Sequence, residues 1–175
     1  GPAGCGKTTL ARHVAAAAAA NFVEVHAAQM VSPAVGASEA ALARLFASAR
    51  AAAPCILFLD GLDALAPPRG NDTTTEGTMD RLLSLLLTEL DGVMQWNGPP
   101  LILLGATRDT SLLDPAILRP GRLDVHIRVD SPDGPQRERL LDEMLARTPV
   151  QWAPRSDAED GEAKVGEAAR GAATA

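Results

Sequence analysis

The first eight residues follow a glycine-rich pattern that leaves few folds open to this chain. The pattern Gly, four residues, Gly, Lys, Thr is met by Gly1-Pro2-Ala3-Gly4-Cys5-Gly6-Lys7-Thr8, and Thr9 follows it. Glycines let backbone N–H groups wrap around phosphates, and the helix that such a loop opens adds the positive end of its dipole. The pattern, known as Walker A, therefore predicts a phosphate-binding loop that runs directly into a helix.

The charge balance and the cysteines narrow the class of protein. The 16 Lys and Arg residues against 22 Asp and Glu residues give a net charge of −6, which argues against direct binding of nucleic acid. Cys5 and Cys55 offer neither a disulfide framework nor a zinc-ligand spacing, which favours a reducing compartment. No apolar stretch reaches the roughly 18 residues that span a bilayer, so we expect a soluble, cytoplasmic chain without membrane insertion.

Apolar periodicity downstream of the loop predicts strands that alternate with helices. Asn21 is expected to end the first helix, Ser38 to cap the second, and Asp91-Gly92 to form the turn after the third. Alternating strands and helices indicate a parallel α/β sheet sandwiched by helices. The predicted helices cover 7–20, 39–52, 79–90, 114–118 and 135–146, and the predicted strands cover 22–26, 55–60, 101–106 and 125–129.

Both ends of the chain are expected to lack part of such a fold. A phosphate-binding loop normally follows a buried strand, and this chain begins on the first glycine of the loop, so we expect that strand to be missing. Residues 67–77 form a polar, threonine-rich stretch that predicts a loop. Beyond 149 the composition turns to Ala, Gly, Glu and Asp without clear periodicity, which is typical of a disordered tail.

The strand predicted at 55–60 ends on a carboxylate, which makes a second element of the phosphate site. Its residues are apolar up to Asp60, as expected of a strand buried on both faces of a parallel sheet. Lys7 would reach the outer phosphates, and Thr8 would place its hydroxyl on a Mg²⁺ ion that Asp60, in the Walker B position, holds directly or through water. The sequence therefore predicts a site for ATP with Mg²⁺.

Five further stretches accompany these two elements: 35–39, 56–65, 86–93, 106–107 and, most specifically, 113–124, which reads Leu-Asp-Pro-Ala-Ile-Leu-Arg-Pro-Gly-Arg-Leu-Asp. Together with the loop they resemble the AAA family of ring-forming ATPases over most of residues 1–130. Within the family the chain is similar to the type with two ATPase modules, such as valosin-containing protein. Its stretches suit both the ribosome-maturation and the peroxisome-biogenesis branches.

The resemblance implies an organisation and a set of partners. It implies a large α/β subdomain at 1–131, the start of a helical lid at 132–149, and an irregular tail or truncated lid at 150–175. It implies a hexameric ring of like or unlike subunits, in which Arg119 and Arg122 enter the ATP site of the next subunit as arginine fingers. A guanidinium fork suits the charge that develops on a transferred phosphoryl group. A protein substrate or adaptor is then the expected partner, and peripheral association with an organelle is compatible with the resemblance.

Three positions depart from the pattern of the family. Gly61 stands where the family has a glutamate that polarises the attacking water, and Arg108 stands where an asparagine helps to orient that water. Arg108 brings a cation near the γ-phosphate but accepts no hydrogen bond. Asp63 is the nearest spare carboxylate; of its two roles, a replacement base or a structural or subunit-interface acid, we favour the second. Ala34 stands where the family places an aromatic residue that grips a polypeptide in the central pore.

Two functions agree with these residues. In the first, ATP turnover in a ring drives remodelling of a protein substrate; family membership favours it. In the second, the module binds ATP, hydrolyses it poorly and stabilises ring assembly; the three departures favour it. A monomeric kinase or GTPase lacks support, because nothing in the sequence selects guanine and the two predicted arginine fingers would be unexplained.

Overall fold

The computed structural model describes residues 1–32, 34, 36–68 and 77–148. Most of the loop predicted at 67–77 and the whole tail predicted at 150–175 lie outside the described residues. The chain divides into two compact units, Gly1–Asp133 and the part from Gly134 onward. The α-helices and strands are α1 Lys7–Ala17, β1 Asn21–His26, α2 Ala37–Ala51, β2 Cys55–Asp60, α3 Thr78–Met94, β3 Leu101–Ala106 and α4 Gly134–Arg147.

The first unit is built on a three-stranded parallel sheet with the order β1-β2-β3. The register aligns the carboxyl ends of the strands, so that His26 lies opposite Asp60 and Asp60 lies opposite Ala106. In parallel α/β sheets, ligands bind outside the carboxyl ends of the strands. This edge therefore collects the loops that follow all three strands.

Helices cover both faces of the sheet, which confirms the predicted fold class. On one face, α1 packs through Ala11 against Phe58 and Ala106, and the ring of Phe58 stacks on that of Phe22 at 6.0 Å between centroids. On the other face, α2 and α3 pack their leucines and Phe46 against Leu57 and Leu59 of β2. Residues of β2 thus alternate between the two helical layers, because successive side chains of a strand point to opposite faces. The central strand is buried almost completely for this reason.

The first helix ends three residues earlier than its alanine run predicts. Ala19 takes a left-handed conformation with φ of 50°, while the N–H groups of Ala19 and Ala20 donate to Ala16 and Ala15. This pair of hydrogen bonds is a Schellman arrangement, which ends a helix by satisfying its last carbonyls. Asn21 was predicted to stop the helix but is the first residue of β1, and its side chain donates to the carbonyl of Ala52 at 2.6 Å.

Two predicted boundaries of α2 and α3 are wrong for tertiary reasons. Ser38 does not cap α2, because Gly36 occupies the cap position with φ of 75°. Ser38 lies inside the helix, buried, and its hydroxyl accepts the N–H of Ser32 at 2.8 Å. Asp91-Gly92 forms no turn, since α3 continues through it to Met94. A Cβ at Gly92 would lie 3.2 Å from the guanidinium of Arg50, so glycine there leaves room for a neighbouring helix.

Two short elements predicted near the end of the first unit do not form. Residues 114–118 make overlapping turns instead of a helix, because the carboxylate of Asp114 accepts the N–H of Ala116 at 2.8 Å and draws the backbone into a side-chain turn. Residues 125–129 are not a strand, and within the described chain no strand pairs with them. Alternating side chains alone do not form a strand, since the backbone needs a ladder partner. The predicted helix at 135–146 is confirmed as α4.

Candidate functional site

An open cavity of about 680 Å³ lies at the carboxyl edge of the sheet. This volume falls within the range of small-molecule sites in proteins. The glycine-rich loop, the start of α1 and the segments after all three strands contribute to its walls. Its lining residues are Ala3, Gly4, Gly6, Lys7, Thr8, Thr9, His26, Ala28, Asp60, Gly61, Asp63, Ala64, Thr107 and Arg108.

The loop is shaped by two glycines whose backbone no other residue adopts readily. Gly4 has φ of 78° and Gly6 has φ of 88°, both in the left-handed region. A Cβ at either position would meet nothing within 4 Å among the described residues, so conformation and not crowding requires glycine there. Gly6 immediately precedes α1, which begins at Lys7. Successive N–H groups of the loop and the positive end of the α1 dipole are thereby available to an anion.

The ammonium of Lys7 is held over the loop. Its Nζ donates to the carbonyl of Gly1 at 2.7 Å and to that of Pro2 at 2.6 Å. The side chain lines the cavity while its charge is anchored by the first two residues of the loop. The arrangement fits a point charge directed at phosphate oxygens, because a compact ammonium can share its three donors between the loop and a ligand.

Thr8 and Asp60 meet at the base of the cavity. The hydroxyl of Thr8 donates to the carboxylate of Asp60 at 2.9 Å, although 52 residues separate them in sequence. His26 Nδ1 lies 3.6 Å from the same carboxylate oxygen. In the described part of the chain, no group of three or more His, Cys, Asp or Glu residues could hold a metal ion by itself. The hydroxyl and the carboxylate nevertheless fit Mg²⁺, which keeps water ligands and takes the rest from phosphates.

Two of the three positions that depart from the expected pattern, Gly61 and Arg108, also line the cavity. Gly61 begins a short turn after β2 with φ of 67° and carries no side chain toward the cavity. Arg108 extends into solvent, 68% exposed, with its Nη2 3.7 Å from a carboxylate oxygen of Asp63. The other oxygen of Asp63 accepts the hydroxyl of Thr107 at 2.9 Å. Asp63 is therefore engaged on both oxygens.

The two arginines predicted as fingers differ sharply. Arg119 is exposed, and its side chain has no hydrogen bond or ion pair with the residues that the structure describes, although its carbonyl accepts the N–H of Arg122 at 3.1 Å. Arg122 is only 18% exposed and forms a two-point pair with Asp91, with Nε–Oδ1 at 2.7 Å and Nη2–Oδ2 at 2.9 Å. Its remaining nitrogen donates to the carbonyl of Ala116 at 2.7 Å. Arg122 thus ties the end of α3 to the segment that follows β3, whereas Arg119 is available to a partner.

The Arg122 pair predicts a specific acid response. The hydrogen bond from the Arg122 side chain lowers the pKa of Asp91 below the usual aspartate range. A lowered folded-state pKa contributes stability above the unfolded-state value, and that contribution is lost as the pH falls through the folded-state pKa. Asp91→Asn should therefore lower the unfolding midpoint at neutral pH, and the difference from the wild type should shrink below about pH 4.

Unfolding midpoints measured from pH 7 to pH 3 check this prediction. Asp142→Asn on α4 is the matched control, because Asp142 is exposed. A deficit of the Asp91 variant that stays constant down to pH 3 would contradict the assignment.

Comparison with known proteins agrees with this geometry. The family model described as "ATPase family associated with various cellular activities (AAA)" matches residues 1–131. The chain belongs to the AAA family. An uncharacterized AAA domain-containing protein of Schizosaccharomyces pombe is 42% identical over 150 residues, which cover 86% of this chain and 19% of that protein. The peroxisomal ATPase PEX6 of Yarrowia lipolytica is 42% identical over 147 residues, which cover 84% of this chain and 14% of that protein. The chain thus spans less than a fifth of either relative.

The AAA cavity also contains residues that sequence reasoning missed. His26 and Thr107 line it, because they stand at or just after the carboxyl ends of β1 and β3. The rule that places ligands at the carboxyl edge of a parallel sheet would have found both. No sequence signal marks Asp91 as the partner of Arg122. Among the described residues of this AAA chain, none of the helices is both long and apolar enough to cross a membrane.

Proposed function

We propose that this chain is the ATP- and Mg²⁺-binding module of a ring-forming AAA ATPase that remodels protein substrates or complexes. The observation that supports it most is the hydrogen bond between Thr8 and Asp60 at 2.9 Å, in the cavity that the left-handed glycines of the loop also line. It places the two side chains suited to Mg²⁺ beside the backbone suited to phosphates. Family membership over residues 1–131 supports the same proposal.

Each residue of the site has a part in binding. The residues from Gly1 to Thr9 other than Pro2 surround the phosphates with N–H groups, and Lys7 places a charge on the outer phosphates. Thr8 and Asp60 would hold Mg²⁺, which would neutralise phosphate charge. Arg119 is the better candidate for a finger that reaches a neighbouring subunit, because it is exposed and Arg122 is engaged by Asp91.

Slow hydrolysis is the second part of the proposal. A carboxylate that takes a proton from the attacking water must be free to accept it. Gly61 offers none, and one oxygen of Asp63 already accepts the hydroxyl of Thr107. We do not assign His26 as the base, because it lies at the end of β1, and β2 separates β1 from β3, the strand that leads to Arg108. The module would therefore hold ATP longer than a member of the family with glutamate at position 61, and it would support ring assembly in that state.

Binding and turnover measured side by side test the proposal. Calorimetric titration with Mg²⁺ and ATP measures affinity, and phosphate release measures turnover on the same sample. Tight binding with turnover well below one per minute supports the assembly role. Fast turnover that Lys7→Ala abolishes would contradict slow hydrolysis and leave the motor role. Absence of nucleotide binding would contradict both.

Gly61→Glu should raise the residual turnover by about tenfold or more, since a positioned general base contributes on the order of 10² to 10⁴ in rate. A Cβ at Gly61 meets no described atom within 4 Å, so the first carbon of the new side chain causes no clash. The left-handed φ of 67° costs about 1 kcal/mol of stability for a residue other than glycine. Gly61→Gln, which has the same shape and backbone cost but accepts no proton, is the control. Equal rates in the two variants would show that the missing base is assigned wrongly.

The relatives suggest where the ring works. The name of the Yarrowia lipolytica relative places that protein with the peroxisome. We propose a cytoplasmic module, in a ring of like or unlike subunits, that associates peripherally with an organelle and acts on a protein substrate or adaptor. Ala34 would weaken any grip on a polypeptide in the pore, because an alanine offers little apolar contact area.

A further inference from the structure

The cavity contains one ion pair that the binding of Mg²⁺ and ATP leaves unexplained. Arg108 and Asp63 both line the cavity, and their closest nitrogen and oxygen atoms lie 3.7 Å apart. This distance is longer than a hydrogen bond between charged groups, and the arginine is mostly exposed. Such a pair is weak and exchanges easily.

The side chains of Asp63 and Arg108 differ in how firmly their other contacts hold them. Asp63 is 19% exposed and is fixed by the hydroxyl of Thr107, which donates to its other oxygen at 2.9 Å. Thr107 in turn accepts the N–H of Asp109 at 3.4 Å. The guanidinium of Arg108 has no such anchor among the described residues, and its exposed fraction of 68% shows a side chain that reaches outward. A change of partner would therefore move the arginine and leave the acid in place.

The negative charges in and around the cavity determine which new partner Arg108 can pair with. Apart from the pair itself, Lys7 and Asp60 are the lining groups with full formal charge, and Mg²⁺ would lie on Asp60. A nucleoside triphosphate brings about one more negative charge than a diphosphate. Lys7 is one cation and is shared with the loop carbonyls, so a third phosphate leaves charge that another cation can neutralise. A planar guanidinium matches phosphate oxygens in two-point contacts.

We propose that Arg108 is a nucleotide-state latch: it pairs with Asp63 when the third phosphate is absent and moves to that phosphate when a triphosphate is bound. The latch makes the module prefer triphosphate over diphosphate. Asp63 is then a competitor that limits this preference and not a catalytic base. The inference rests on the proposed binding of ATP at this cavity.

Affinity for two nucleotides tests the latch. The probes are ADP and the non-hydrolysable triphosphate AMP-PNP, each titrated with Mg²⁺ into the chain. The measured quantity is the dissociation constant of ADP divided by that of AMP-PNP. Arg108→Gln should weaken AMP-PNP about tenfold and leave ADP nearly unchanged, as expected for the loss of a hydrogen bond between charged groups. Asp63→Asn keeps an acceptor for Thr107 but removes the competing charge. It should tighten AMP-PNP severalfold and leave ADP nearly unchanged.

Matched controls separate a local effect from a change in net charge. Arg44→Gln removes an exposed arginine on α2, and Asp80→Asn removes an exposed acid on α3, both outside the cavity lining. Neither control should change the ratio.

The outcomes are distinguishable. Equal losses for both nucleotides in Arg108→Gln, or no loss, overturn the latch while the proposed function stands. A lowered ratio in Arg108→Gln with no gain in Asp63→Asn overturns the exchange with Asp63. A wild-type chain that binds neither nucleotide overturns the proposed function and the latch together.

Discussion

Lys7→Ala should lower the affinity for ATP and Mg²⁺ by about a hundredfold, which corresponds to roughly 3 kcal/mol of binding free energy. Lys7 is the cation that the structure anchors inside the loop, with two carbonyl contacts at 2.6 and 2.7 Å. Alanine removes a charge that phosphate oxygens would meet and also frees the first residues of the loop. Calorimetric titration of the two chains at the same ionic strength measures the difference, because screening by salt weakens such contacts.

Arg44→Ala is the matched control for Lys7→Ala. It deletes a long cationic side chain from an exposed position on α2, outside the cavity. Its affinity for ATP should equal that of the wild type. Equal weakening in the two variants would mean that net charge and not the loop determines binding. Unchanged affinity in Lys7→Ala would refute the phosphate role of the loop altogether.

Leu42→Ala should lower the free energy of unfolding by about 3 kcal/mol, within the range of 2 to 5 kcal/mol found for buried leucines. Leu42 of α2 is completely buried in the cluster between α2, α3 and β2. The substitution leaves a cavity in a layer that also fixes the position of β2, and β2 carries Asp60 at its end. Denaturant titration followed by circular dichroism measures the loss.

Leu10→Ala provides the same chemical change at an exposed site. Leu10 on α1 is 47% exposed, and its loss should cost less than about 1 kcal/mol. Similar costs in the two variants would show that the α2 layer does not form the core described here. A Leu42 variant with normal stability would have the same meaning.

Local sequence signals were reliable where the physical cause is local. The strands 55–60 and 101–106 have the predicted bounds. The first is buried along most of its length, as expected of a parallel strand that is covered on both sides. The second is an equally uninterrupted apolar run, although Ile102 within it is exposed. The loop at 1–8 leads into a helix at Lys7 as predicted. The helix ends at 17–20 and 91–94 were predicted less well, because each depends on a cap or a neighbour that composition does not reveal.

The strand predicted at 125–129 and the helix predicted at 114–118 illustrate the limits of periodicity. In residues 125–129, apolar and polar side chains alternate as they do in a strand. A strand, however, also needs a neighbouring backbone to hydrogen-bond with. In the second, the carboxylate of Asp114 competes for a backbone N–H and favours a turn. Both sequences are compatible with the predicted element, and neither forms it.

The sequence by itself determined the family, the phosphate loop, the parallel α/β sheet and the expectation that Thr8 and Asp60 serve one ligand. Only the tertiary structure decided which partners the charged residues around the site have. It pairs Arg122 with Asp91 across 31 residues and fixes Asp63 to Thr107 across 44. A motif is a short sequence pattern that recurs in many proteins, and it therefore predicts only local features. Ion pairs between distant segments depend on where folding places each backbone, and so Arg108 acquired a partner that no spacing predicts.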